Sequence, residues 1–302
     1  MSQARQVIPD NVWVIERRCS ERRFFLRPDS FITKAFLFIL ATALARYNVH
    51  LICCCVMSNH WHAVVYDPEG KLPRFCAWVH LMVAKVTNAF RGRWENMWAA
   101  EKYSAIPLHT LEDVIGEIAY TVLNPTEPGA VDHPDKWPGL LLSPHTGLET
   151  THSAAKPNKF FRKKRRKIPG RSSLKLIKPP HAAHLTDEEY VAMVKEAVES
   201  GVTEVRAQFS REGREFLGVE RVLAMDPFRA ATSWEQKRVM NPRVIARRKE
   251  LRLKLIAAHK AFLEAYERAR DAWRRGKRRT VFPAGTYWMA RFYNVRVETV
   301  TA

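Results

Sequence analysis

The sequence predicts an α+β fold: an antiparallel sheet with helices on one face, followed by a basic, mainly helical C-terminal region. Three observations predict it. The first 125 or so residues alternate as strand, helix, strand, strand, helix, strand, helix. The two central strand segments are separated only by the short polar link Ser58-Asn59. Past a basic run near residue 170 the apolar spacing becomes helical.

The elements follow in order. "NVWVIERRC" (Asn11–Cys19) is rich in β-formers and then turns polar, as a strand entering a loop does. Asp29 or Ser30 can cap a helix running to about Tyr47, with Phe31, Ala35, Phe38 and Leu44 on its apolar side. "HLICCCVM" (His50–Met57) and "HWHAVVY" (His60–Tyr66) read as strands. Leu72 to about Arg91 has helical spacing, and Tyr103–Leu108 reads as a further strand. Thr110 opens a helix, with Asp113 three residues on completing a start that resembles a capping box. "NPTEPGAVDHPDKWPG", from Asn124, holds too much Pro and Gly for regular structure.

Between Lys156 and Lys178 stand eleven Lys or Arg and no acid. That run divides the chain into an expected sheet domain (1–150), a basic linker (151–180) and a helical accessory region (181–302). Within the last, Thr186–Ser200, Val202–Glu215 and about Pro242–Arg275 read as helices.

A length of 302 residues fits two domains better than one. Fifty Lys+Arg against 31 Asp+Glu leave a net charge of +19, which concentrates polyanions at the surface. Nucleic acid is the leading partner, ahead of an anionic membrane, and no membrane partner is expected. The five cysteines include three in a row and no CxxC, so they read as small buried strand residues rather than a disulfide framework or zinc ribbon. "FLFILATALA" (Phe36–Ala45) is too short to span a bilayer and reads as a core helix. A soluble, cytoplasmic, nucleoid-associated chain is expected.

Chemistry gathers at two places. "HWH" sets His60 and His62 two apart on a strand, so both project to one face while Trp61 points to the other. Chance alone gives an H-x-H about 0.4 times in this composition, so a metal site and two ordinary histidines both stay open. On the helix from Thr110, Leu111, Val114, Ile115, Ile118 and Val122 form the packed stripe. Tyr120 and Asn124 lie opposite, one turn apart, and Gly116 leaves space beside them.

"MSNHWHAVV", followed about sixty residues later by "IAYTVLNPTEPGAVDHPDKWPG", resembles the REP-associated tyrosine transposases, single-tyrosine members of the HUH superfamily. The match runs through Met57, Asn59, His60, His62, Tyr120, Asn124, Pro125, Gly129, Val131, Trp137 and Pro138, and covers about residues 10–145. Two departures stand out: Ser58 where proline is usual, and Glu127 in a segment that often carries a basic residue. The resemblance implies a ferredoxin-like sheet domain that cuts and rejoins single-stranded or hairpin DNA; homodimer and monomer both stay open. It implies Tyr120 as nucleophile, with His60, His62 and Asn124 holding Mg²⁺ or Mn²⁺, and a 5′-phosphotyrosine intermediate.

For DNA contact the basic run supplies Lys159, Arg162, Lys163, Lys164, Arg165, Arg166, Lys167 and Arg171. Phe160 and Phe161 either stack on bases or anchor the run to the core. Arg247, Arg248, Lys249, Arg252 and Lys254 form either a solvated face or a DNA contact; the late "TYWMARFY" allows base stacking or packing, of which packing is favoured. Two further functions compete: a domesticated DNA- or RNA-binding protein on the same fold, and a phosphoesterase that uses water in place of Tyr120.

Overall fold

Period-two burial builds the sheet. In β1 (Asn11–Arg18), Trp13 and Ile15 are buried on one face, and Val12 and Val14 on the other. The chain continues through α1 (Ser30–Tyr47), β2 (His50–Val56), β3 (His60–Asp67), α2 (Leu72–Phe90), β4 (Ser104–Leu108) and α3 (Leu111–Leu123). With β5 (Leu141–Leu142), the strands lie in the order β4-β1-β3-β2-β5, and every pairing is antiparallel. This is the α+β fold expected from the sequence, in the β-α-β-β-α-β order of a ferredoxin-like sheet. The computed structural model describes residues 4–101, 103–158, 160–161, 168–232 and 243–299.

One expected feature differs. Helices cover both faces of the sheet, not one. α1 and α2 pack on the Trp13, Ile15, Trp61 and Val65 side. α3 packs on the Val12, Val14, Val64 and Ile106 side, together with α4 (Asp187–Arg211). The strands record this: Leu51 to Val56 is buried throughout, as in a strand with two covered faces. A bulge at Ile52 lets Ile52 and Cys53 point successively into the α3 side. All five cysteines are buried and free.

α1 is apolar and long enough to pass as a membrane span by composition, but 56% of it is buried, against the sheet, α2 and a small hairpin. That hairpin, β6 (His152–Ala155) with β7 (Arg171–Leu174), lies within the run expected as a linker. Ala154, Phe161, Ile168, Leu174 and Leu176 all enter the α1 core. Phe161 meets Phe38 edge-on at 5.6 Å and Phe160 lies 5.0 Å from Phe31, so this pair anchors the run.

α4 joins the two helices expected at Thr186–Ser200 and Val202–Glu215 into one. Thr186 accepts from Glu189 N, and Glu189 answers at Thr186 N, a full capping box. Gly201 does not break the helix. A Cβ there would stand 2.2 Å from Leu123 Cδ1, so the glycine lets α4 lie close on the end of α3. Residues 181–211 therefore share the core of the sheet domain. Beyond them come α5 (Val219–Ala224), α6 (Lys249–Arg274), β8 (Val281–Phe282), α7 (Trp288–Tyr293) and β9 (Arg296–Val297), with β8 and β9 parallel. Val7 N donates to Gly285 O, which ties this last unit to the N-terminus.

Candidate active site

The register of β3 places the histidines. His60 and His62 share the α3 face with Val64, while Trp61 is fully buried on the other face, 5.4 Å from the Phe36 ring. Across on β1, Arg18 stands opposite His60 and Glu16 opposite His62. Glu16 and Arg18 form an ion pair at 2.7 Å. Neither residue stands out in the sequence; only the β1–β3 register reveals them.

α3 supplies the other half. Thr110 Oγ1 accepts from Asp113 N at 3.1 Å and caps the helix. Val114, Ile118 and Val122 are fully buried against the sheet. Tyr120 lies on the flank of that buried stripe, not opposite it as its spacing implied, and this brings its ring 5.5 Å from His62, which itself lies 4.9 Å from His60. Asn124 follows the last helical residue but keeps helical dihedrals (φ −49°, ψ −37°), so its side chain stays in phase with Tyr120. Tyr120 is 40% exposed, whereas His62 and Asn124 are buried. The sequence-derived residues His60, His62, Tyr120 and Asn124 thus come together.

Two backbone carbonyls fix the amides. Asn124 Nδ2 donates to Tyr120 O at 3.0 Å, which turns its Oδ1 toward His60 Nε2, 2.9 Å away. Asn59 Nδ2 donates to Arg22 O at 3.3 Å, which turns its Oδ1 toward His60 Nδ1 at 2.6 Å. His60 therefore faces an oxygen at each ring nitrogen. A neutral imidazole has one N–H, so one of the two pairs sets lone pair against lone pair. With Nδ1–H donated to Asn59, Nε2 and Asn124 Oδ1 face each other across 2.9 Å, a gap that a second ring proton or a metal cation would equally bridge.

The donor set fits a divalent ion. Cis ligands about 2.1 Å from an octahedral ion stand about 3.0 Å apart, close to the His60–Asn124 separation. Holding Nδ1–H on an oxygen is also how proteins orient a ligating histidine. Among the described residues, no group of three or more His, Cys, Asp or Glu could hold a metal ion. The third protein donor would have to be the Asn124 amide.

Beside this site sits a feature that the sequence does not reveal. The space expected beside Gly116 is filled: a Cβ there would stand 2.3 Å from an Arg247 guanidinium nitrogen. Arg247 N donates to Asp113 Oδ1 at 2.8 Å, fastening residues 244–247 along α3. In the same crevice burial pushes the Glu117 carboxyl up to about 7, with Arg247 opposing that rise and Asp113 and Glu16 adding to it. The apolar stripe of α3 could not point to Arg247, which lies 127 residues after Tyr120.

The loop after Asn124 closes over the sheet end. Gly129 has φ +82° and abuts Phe209, which bars any larger residue. Trp137 Nε1 donates to Val56 O at 3.0 Å and Glu127 is exposed. Of the residues expected to contact DNA, Lys159, Arg162, Lys163, Lys164, Arg165, Arg166 and Lys167 lie outside the described residues. Arg171 is exposed on β7, where it donates to Ser153 Oγ.

No family model matches this chain, and no curated protein matches it. Solved structures similar to it include a REP-associated tyrosine transposase bound to a REP hairpin, with 15% identity and a TM-score of 0.39 over 46% of this chain and 81% of that one. A second, named as a transposase from Deinococcus radiodurans R1, has 16% identity and a TM-score of 0.30 over 41% of this chain and 97% of that one.

Proposed function

We propose that this chain is a metal-dependent single-stranded DNA endonuclease and strand transferase, a single-tyrosine transposase acting at hairpin or palindromic elements. The observation that carries the reading is the convergence of Tyr120 with His60, His62 and an Asn124 oxygen aimed at His60 Nε2. The preference for hairpin DNA rests on the motif resemblance.

In this reading His60, His62 and Asn124 would hold Mg²⁺ or Mn²⁺. Bound there, the ion supplies Lewis-acid neutralisation of the phosphate's non-bridging oxygens and orients the scissile bond. The chain's own residues do the rest. A phenol, with an ordinary pKa near 10, is a poor nucleophile at neutral pH, so position matters. Tyr120 is exposed enough for a strand to reach it, and its helix is held to the sheet by three fully buried residues. Its oxygen forms the new bond to phosphorus and loses its proton; the bond from phosphorus to the 3′ oxygen breaks, and that oxygen leaves as a 3′-OH. One phosphoester replaces another, so a 3′-OH can reverse the step without ATP.

The test is a denaturing gel of protein incubated with labelled hairpin DNAs and Mn²⁺ or Mg²⁺, beside Tyr120→Phe. The expected result is a metal-dependent covalent band that the variant lacks. Cleavage that survives in Tyr120→Phe without an adduct would transfer the chemistry to water and sink the tyrosine reading.

A further inference from the structure

The C-terminal unit carries a surface that the packing expected of "TYWMARFY" does not explain. Only Met289 of α7 enters its small core, with Phe282 and Ala269. Trp288 is 56% exposed, Phe292 56% and Tyr293 59%. Aromatic side chains of this size left in water in one short helix call for an occupant. They are already ordered as a platform: the Trp288 and Phe292 rings stack at 4.6 Å and 18°. Tyr293 meets Trp273 edge-on at 5.2 Å, and the Arg278 guanidinium covers the Trp273 ring at 4.0 Å.

The sequence that builds this platform is strongly basic. From Ala272 to Val297 the sequence holds seven Arg or Lys and no acid. Arg291 joins platform to groove: its guanidinium lies 5.5 Å from the Phe292 ring and also lines an open groove with Lys71, Arg74 and Tyr287. Lys71 is tied to Glu69 on the rim, while Arg74 and Arg291 make no ion pair among the described residues. A basic groove flanked by stacked, exposed aromatic rings matches the demands of a single strand, whose phosphates follow the cations and whose bases lie on the rings.

We propose that α7 and the groove beside it form a second binding surface for single-stranded nucleic acid, separate from the tyrosine site. The groove reaches Pro9, Gly70 and Lys71, at the start of β1 and the end of β3, whereas His60 and Glu16 lie at the other ends of those strands. The seven steps from His60 to Asp67 span about 23 Å at about 3.3 Å each. At about 3.4 Å per stacked nucleotide, a stacked strand touching both places spans about seven nucleotides, and a stretched one fewer. The substrate class rests on the function proposed above; the surface itself does not need the tyrosine chemistry.

The experiment measures fluorescence anisotropy of labelled dT6 and dT20 with Tyr120→Phe protein, so that cleavage plays no part. It then adds Trp288→Ala/Phe292→Ala or, separately, Arg74→Ser/Arg291→Ser. The aromatic pair should weaken dT20 binding roughly 5- to 150-fold for each base that stacks, with a smaller change for dT6. The arginine pair should lower the salt dependence of dT20 binding by about 0.7 in log–log slope for each phosphate no longer neutralised. All four side chains are exposed or partly so, and an unchanged Tm checks folding. Unchanged dT20 affinity in both variants would overturn the proposal, as would a loss confined to co-sedimentation with anionic vesicles. Failure of the tyrosine reading would show instead as a missing adduct with dT20 binding intact.

Discussion

If Asn124 supplies the third donor, its removal should abolish stabilisation by metal. A ligand present at one hundred times its Kd stabilises the folded state by about 2.7 kcal/mol. With about 2.1 cal/mol/K of unfolding entropy per residue, a 302-residue chain has about 0.6 kcal/mol per degree, so Mn²⁺ should raise Tm by about 4 °C. Loss of an outer partner of a metal ligand costs about 10–100-fold in affinity, and loss of a ligand at least as much. At a hundredfold weaker Kd the same Mn²⁺ concentration yields only about 0.4 kcal/mol, under 1 °C. Asn124→Ala should therefore unfold at nearly the same temperature with Mn²⁺ as with EDTA. Without metal it should melt about 1–2 °C below the parent, because the 3.0 Å bond from Nδ2 to Tyr120 O is lost as well. Asn124→Asp keeps an oxygen at the same place and should retain the Mn²⁺ shift. A shift of about 4 °C in Asn124→Ala, equal to the parent's, would remove this residue from the metal site.

Three further outcomes follow from the same geometry. Gly201→Ala gains about 1 kcal/mol of helix propensity but drives a Cβ to 2.2 Å from Leu123 Cδ1, and overpacking costs about 1–3 kcal/mol. Urea unfolding should show net destabilisation that a second change, Leu123→Val, partly recovers; full stabilisation by Gly201→Ala would deny the close α3–α4 approach. Glu117 is a carboxyl whose folded-state value, about 7, lies above its ordinary 4.5, so the folded state binds more protons than the unfolded and stability falls as pH rises between those values. Glu117→Gln should thus stabilise the protein by about 1–3 kcal/mol at pH 8 and leave it nearly unchanged at pH 4; equal effects at both pH values would contradict the burial argument. Replacing Lys163, Lys164, Arg165 and Arg166 with serine should lower single-strand affinity and flatten its salt dependence by about 0.7 for each phosphate no longer neutralised, and an unchanged slope would leave that run without a phosphate role.

The elements and the chemical residues were legible because each rests on a local pattern. Thr110 and Asp113 announce the start of α3, and His60-Trp61-His62 on a strand fixes which way each ring points. The covering of the second sheet face was not legible in the same way. Leu51 to Val56 reads also as a strand with one covered face, and only the packing of α3 on it, with α4 beside α3, decides between them. Gly201 misled for a related reason: as punctuation it ends a helix, but as a point of close approach it joins two. Arg247 reads in the sequence only as a solvated or DNA-contacting residue; its seat on α3, like the place of Glu16 beside β3, is tertiary, and no spacing rule spans that separation in sequence.

These tertiary contacts change what the C-terminal part is for. Tyr120 and Asn124 sit at the end of α3, where a helix frays most easily because its last carbonyls lack intrahelical partners. Here Leu123 lies against Gly201, Phe209 closes on Gly129, and Leu217 N and Gly218 N donate to Gly129 O and Ala130 O at 2.8 and 3.0 Å. Arg247 N holds the helix start through Asp113. The residues beyond 180 thus clamp both ends of the helix that carries the proposed nucleophile. A tyrosine that must meet a phosphate within a few tenths of an ångström needs its helix held in place, and the sheet provides only one side of that support. α4, the segment through Leu217 and Gly218, and Arg247 provide the other, so the chemistry proposed for the first 150 residues depends on later parts of the chain.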